Sequence, residues 1–108
     1  MRSRHVTMAG VSREAYRLSP TRSTAILAAM QRRCLIAGKR AQAQGLTVKA
    51  ARLYRRALQL GVAVYGPEHP LVLVSLKNCA AMLRVANREA EALELEKQSR
   101  ANRAHRGR

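Results

Sequence analysis

GLTVKAARLYRRAL, residues 45–58, returns further along the chain as NREAEALELEKQSR, residues 87–100. In this alignment Ala50 falls on Ala92 and Leu53 on Leu95, an offset of 42 residues. The stretch ahead of each copy obeys the same offset, which sets Cys34 on Leu76, Ala37 on Cys79, Gly38 on Ala80 and Ala41 on Leu83. Small or apolar residues recur at matched places, and a fixed period of this kind marks one supersecondary unit used twice. Each unit reads as a helix, a short turn at Gly45 or Asn87, and a second helix. Glycine and asparagine are the residues that best tolerate the left-handed end of a helix.

Working outward, four helices are predicted. The first runs from Pro20 or Thr24 to Gln44, with Ser19 and Pro20 as cap and first-turn residue. Its apolar positions Ile26, Leu27, Met30, Cys34, Ala37 and Ala41 keep the spacing of one helix face. The second runs from Thr47 to Val64 and buries Ala50, Leu53, Tyr54, Ala57, Leu58 and Val62, with Gly61 expected to weaken its last turn. Gly66 to Pro70 break the chain between units: Pro67 lacks the backbone N–H that would continue a helix, and Pro70 suits the first turn of the next.

The third helix spans Pro70 to Val85. The branched residues of LVLVSL, 71–76, would suit a strand, but no partner strand is visible. The fourth, Arg88 to Ala104, begins with Glu89, Glu91, Glu94 and Glu96 and ends with Lys97, Arg100, Arg103 and Arg106, an order that complements the helix dipole. Its outer face is more polar than that of the second helix, as befits a unit that ends a stack and meets water.

Composition agrees with an all-α fold. The chain has 108 residues, room for one small domain, and 47% of them are hydrophobic. Its only aromatic residues are Tyr16, Tyr54 and Tyr65, so alanine and leucine must close the interior, which favours close-packed helices. Residues 1–23 form a basic tail expected to be disordered, and 24–106 the helical domain, with repeat one near 28–64 and repeat two near 70–106.

Charge narrows the partners. Twenty-one Lys and Arg against six acids, all Glu, leave a net charge of +15, which attracts acidic molecules and is equally compatible with cations spread over a solvated face. Cys34 and Cys79 lie in helical patterns without a CxxC pair and read as buried small hydrophobes, free thiols in a reducing compartment, the cytoplasm. No run approaches the roughly 18 apolar residues of a membrane span. The first 25 residues hold five Arg, four Ser and one Glu, a balance shared with organellar transit peptides, which leaves targeting as the alternative to a plain basic tail.

These residues resemble the tetratricopeptide repeats, and in particular the 42-residue form of kinesin light chains and their bacterial relatives. Cys34, Ala37, Gly38, Ala41, Ala50, Tyr54 and Ala57 take the family's patterned places in unit one, and Leu76, Cys79, Ala80, Leu83 and Ala92 in unit two. LYRRAL at 53–58, YGPEHP at 65–70 and SLKNCAAMLR at 75–84 match the kinesin-light-chain-like run in order, and the likeness covers residues 28–98. It implies antiparallel hairpins stacked as a short right-handed solenoid, with Gly38, Ala50, Ala80 and Ala92 letting helices approach and Tyr54 filling space between them. Glu96 and Ser99 depart from the pattern, where a large apolar residue and Ala are usual, so ordinary growth of the array beyond the last helix is not expected.

The resemblance also implies a groove lined by the first helix of each hairpin, in which a peptide lies. Asn78 stands where such repeats carry an asparagine able to hydrogen-bond a peptide backbone. Lys77, Arg84, Arg32 and Lys39 lie on the same two helices and could hold acidic side chains or a terminal carboxylate. The expected function is a non-catalytic protein-binding scaffold without cofactor or metal.

His5, His69 and His105 are far apart in sequence, Asp is absent, and no Ser or Cys lies in a nucleophile motif. Nucleic-acid binding through the basic tail and Arg52, Arg55, Arg56, Arg100, Arg103, Arg106 and Arg108 is an alternative, against which stand the missing stacking aromatics. Two hairpins are also fewer than the roughly three that usually bury a solenoid core. A homo-oligomer, or a piece of a longer array, is therefore a third expectation.

Overall fold

A computed structural model of the chain describes the backbone of residues 22–106 and the side chains of residues 22–104. It contains four helices and, among the described residues, no strand: α1 (Arg22–Ala43), α2 (Thr47–Tyr65), α3 (Pro70–Val85) and α4 (Glu89–Arg106). Each packs on the next, α1 on α2, α2 on α3 and α3 on α4. The fold is all-α, two helical hairpins in series, and LVLVSL is helical throughout. The basic tail, the Ser19–Pro20 start signal, His5 and Arg108 lie outside the described residues, as do the side chains of His105 and Arg106.

The two hairpin turns have the same bonding. After α1, Leu46 N–H donates to Ala41 O at 2.9 Å and Gly45 N–H to Gln42 O at 3.0 Å, with Gly45 at φ +78°. After α3, Arg88 N–H donates to Leu83 O at 2.8 Å and Asn87 N–H to Arg84 O at 3.0 Å, with Asn87 at φ +61°. These paired bonds satisfy carbonyls that a helix end would leave open, and they require a left-handed residue, hence Gly45 and Asn87.

Between hairpins the chain turns at Gly66, φ +89°, and Pro67. His69 caps α3: its Nδ1 accepts from Leu71 N–H at 3.1 Å, with Pro70 in the first turn. The Tyr65 ring stacks on the His69 imidazole with centroids 4.3 Å apart.

The core follows the repeat. Ala50, Tyr54, Ala57, Cys79, Ala80, Leu83, Ala92 and Leu95 are buried, and Gly38 with them. One expectation needs correction. On α1 the covered side is Gln31, Leu35, Gly38 and Ala41; Leu27, Met30, Cys34 and Ala37 are half-buried and Ile26 is exposed. The helix meets α2 along one flank and α3 at Gln31, so its buried side is turned away from the purely apolar stripe.

α2 runs through Gly61 to Tyr65, one residue beyond its expected end. Gly61 is buried, and a Cβ there would lie 3.0 Å from Val72 Cγ2, so the missing side chain lets α3 approach. Cys79 is buried, Cys34 only half-buried, and both are free thiols.

Candidate functional site

The first helices of the two hairpins, α1 and α3, touch directly. Gln31 Nε2 donates to Ser75 Oγ at 3.5 Å between two buried side chains, and Ser75 Oγ in turn donates to Leu71 O at 2.9 Å. Beside this contact the repeat offset places Arg32, Ile36 and Lys39 of α1 at positions equivalent to Val74, Asn78 and Ala81 of α3. Residues spaced by four and three share a helix face.

Four of the predicted site residues therefore stand on these adjoining helices: Arg32, Lys39 and Lys77 exposed, Asn78 half-buried. Sequence reasoning missed the apolar component of the same stripe. Ile36 is 56% exposed and Val85 64%, with Val74 also exposed. The 42-residue offset that puts Ile36 on Asn78 was the signal that could have found it. Chemically the surface offers branched apolar side chains for desolvated contact, cations for carboxylates, and a carboxamide that both donates and accepts.

Arg84, the fifth predicted residue, is differently employed. Its Nη1 and Nη2 donate to the two carboxylate oxygens of Glu96, both at 2.8 Å, and its Nε donates to Glu89 at 3.0 Å. These bonds hold the Glu96 carboxyl below its ordinary range and push the Arg84 guanidinium up, each group favouring the charged form of the other. Forty-two residues earlier, Tyr54 Oη donates to Gln42 Oε1 at 2.6 Å. Arg84–Glu96 is thus the second hairpin's version of Gln42–Tyr54, a tie between its two helices.

Among the described residues, two clefts are lined by α2 and α4. One, of about 180 Å³, lies among α2, α3 and α4 over Ala51, Cys79 and Leu83, with Arg52, Arg55, Arg88 and Glu91 around it. Glu91 pairs with Arg88 and stands 3.9 Å from Arg55. Cys79 Sγ donates to Ala51 O at 3.4 Å, and burial pushes its thiol up, with Arg55 opposing in part, which disfavours the nucleophilic thiolate.

The second cleft, about 500 Å³ and wide open, runs between α2 and α4 over Leu58, Val62 and Leu95. Among the described residues no three His, Cys, Asp or Glu gather as metal ligands, and no helix is long and apolar enough to cross a membrane.

Two helical hairpins with matched turns and a matched inter-helix tie, set on one period, define the class of helical-hairpin repeat proteins. The chain belongs to the tetratricopeptide repeat family: the family's model, described as tetratricopeptide repeat, matches residues 38–104. No curated protein and no solved structure matches it. Tetratricopeptide repeats generally mediate protein–protein interaction and are in general non-catalytic scaffolds.

Proposed function

We propose that this chain is a non-catalytic scaffold that binds a peptide or protein segment, acidic in character, along the face shared by α1 and α3. The observation that carries the reading is the direct contact of these helices at Gln31 and Ser75, since α1 also bears Arg32, Ile36 and Lys39 and α3 bears Val74, Lys77 and Asn78. Apolar anchors flanked by cations suit a segment carrying both apolar and carboxylate side chains. The kinesin-light-chain-like placement of Asn78 supports a backbone contact there. Arg84 takes part by fixing α4 on α3, since its donors are occupied by Glu96 and Glu89. Two free thiols agree with the cytoplasm as the compartment.

The test is a pull-down from nuclease-treated and untreated lysate at low and moderate salt, with a Lys77→Ala/Asn78→Ala double variant alongside. Proteins retained by the parent chain at moderate salt and lost from the variant support the α1/α3 face. Capture of RNA or DNA alone, released by salt, would replace this reading with a phosphate-binding surface.

A further inference from the structure

Repeat two packs on repeat one through contacts that each name a position. Val72 meets Gly61, Ser75 meets Gln31, and Cys79 meets Ala51. Leu58 and Leu95 line one cleft on the same side. All four repeat-one positions are buried in consequence.

Shifted by the repeat offset, these positions are Leu73, Leu93, Arg100 and Arg103, and nothing among the described residues covers them as repeat two covers their counterparts. Leu93 is 52% exposed where Ala51 is 5%, and Leu73 is 39% exposed. Arg100 is exposed, and Arg103, half-buried, has its Nη1 buried with no acceptor among the described residues. A guanidinium with a nitrogen left without an acceptor is unfavourable, and a carboxylate brought to the accessible part of the Arg103 head would pair with its charge.

We infer that this end of the stack, uncovered among the described residues, is a second docking surface, and that its occupant is an acidic amphipathic helix of another protein, lying where α3 lies on repeat one. The internal interface supplies the pattern. α3 presents residues at steps of three and seven, Val72, Ser75 and Cys79. The docked helix needs Glu or Asp at the first place, to meet Arg103 where Gly61 stood. Three residues on it needs a small apolar residue against Leu73, which replaces Gln31 at similar volume. Seven residues on it needs Ala, because Leu93 is larger than Ala51.

A second copy of this chain is the wrong occupant. Its helix α1 would bring Met30, Arg33 and Ala37 to those three places, setting Arg33 against Leu73 and no acid against Arg103. Each copy moreover carries a net charge of +15. The inference does not rest on the α1/α3 reading, since it uses different residues.

The probe is a fluorescein-labelled helical peptide of about 20 residues, with Glu, Val and Ala at the first, fourth and eighth places of one face, followed by anisotropy at low salt. Arg103→Glu is expected to weaken binding about tenfold, and a peptide with Lys in place of that Glu to recover it. Arg100→Glu, at an exposed position that tolerates substitution, is expected to act in the same direction, and Lys77→Ala/Asn78→Ala to leave affinity unchanged. Equal binding of the Glu peptide by the parent chain, Arg103→Glu and Arg100→Glu would overturn the inference. So would loss of binding in Lys77→Ala/Asn78→Ala, or a dimer of the parent chain in sedimentation that Leu93→Lys dissolves.

Discussion

Gly38 faces the Tyr54 ring so closely that a Cβ at position 38 would lie 2.8 Å from both Cδ1 and Cε1 of that ring. In the second hairpin the equivalent pair is Ala80 and Glu96. There the small position carries a methyl group, and the residue in the place of the buried ring is a carboxylate bonded to Arg84.

Gly38→Ala is accordingly expected to destabilise the fold by roughly 1–3 kcal/mol, although alanine is the better helix former. Urea denaturation should show a lower midpoint, and the loss should shrink when the substitution is made in a Tyr54→Leu background, as expected for residues in contact. An unchanged or raised midpoint would mean that the helices part without strain.

Much of this architecture was legible in the chain because the features that fix it are local. Gly45, Asn87, Pro67 and Pro70 state their backbone requirements residue by residue, and the Ala50/Ala92 period needs only comparison of the chain with itself. What stayed hidden depends on two elements meeting. Gly61 looks like a weak point of α2 until Val72 of another helix is set against it. Gln31 looks solvated until Ser75 arrives. For the candidate site, charge drew attention to Lys77 and Arg84 and the family resemblance to Asn78, but neither could say that Arg84 would be taken by Glu96, nor that Ile36 and Val85 would remain uncovered.

The cap on α3 is a side chain that the sequence pattern assigned only to a turn. His69 Nδ1 accepts from Leu71 N–H, so His69→Ala leaves that donor without its acceptor, with an expected loss of about 0.5–2 kcal/mol. His69→Asn supplies a new acceptor and gives up the stacking on Tyr65, so its thermal midpoint should fall between those of the parent chain and His69→Ala. Equal midpoints for the two variants would assign the stability to the ring contact instead.

Gln31 is buried with its Oε1 unpaired among the described residues, and the hydrogen bond its Nε2 donates to Ser75 Oγ is long at 3.5 Å. Its counterpart is Leu73, an apolar residue of similar volume. Ser75 keeps its own bond to Leu71 O, so Gln31→Leu removes a poorly satisfied polar group without orphaning another. The variant is expected to match or exceed the parent in stability, by up to about 1 kcal/mol. A clear loss in a denaturation curve would show that the Gln31–Ser75 bond holds the hairpins together.

The Arg84–Glu96 tie predicts how stability responds to acid. Arg84 lowers the Glu96 carboxyl below its ordinary value of 4.5, so the folded chain takes up that proton less readily than the unfolded chain does. Stability from the pair is therefore complete above 4.5 and is lost as the pH falls from there through the lower folded value. Glu96→Gln removes the charge and keeps the shape, so the variant should melt below the parent at neutral pH, and the two should converge in acid. Tyr54→Phe, which breaks the equivalent tie in the first hairpin without altering a carboxylate, should lower the midpoint by a similar amount at neutral and acid pH. A gap between Glu96→Gln and the parent that persists unchanged into acid would show that the Glu96 side chain acts by packing, and that its charge on Arg84 contributes nothing to holding α4 on α3.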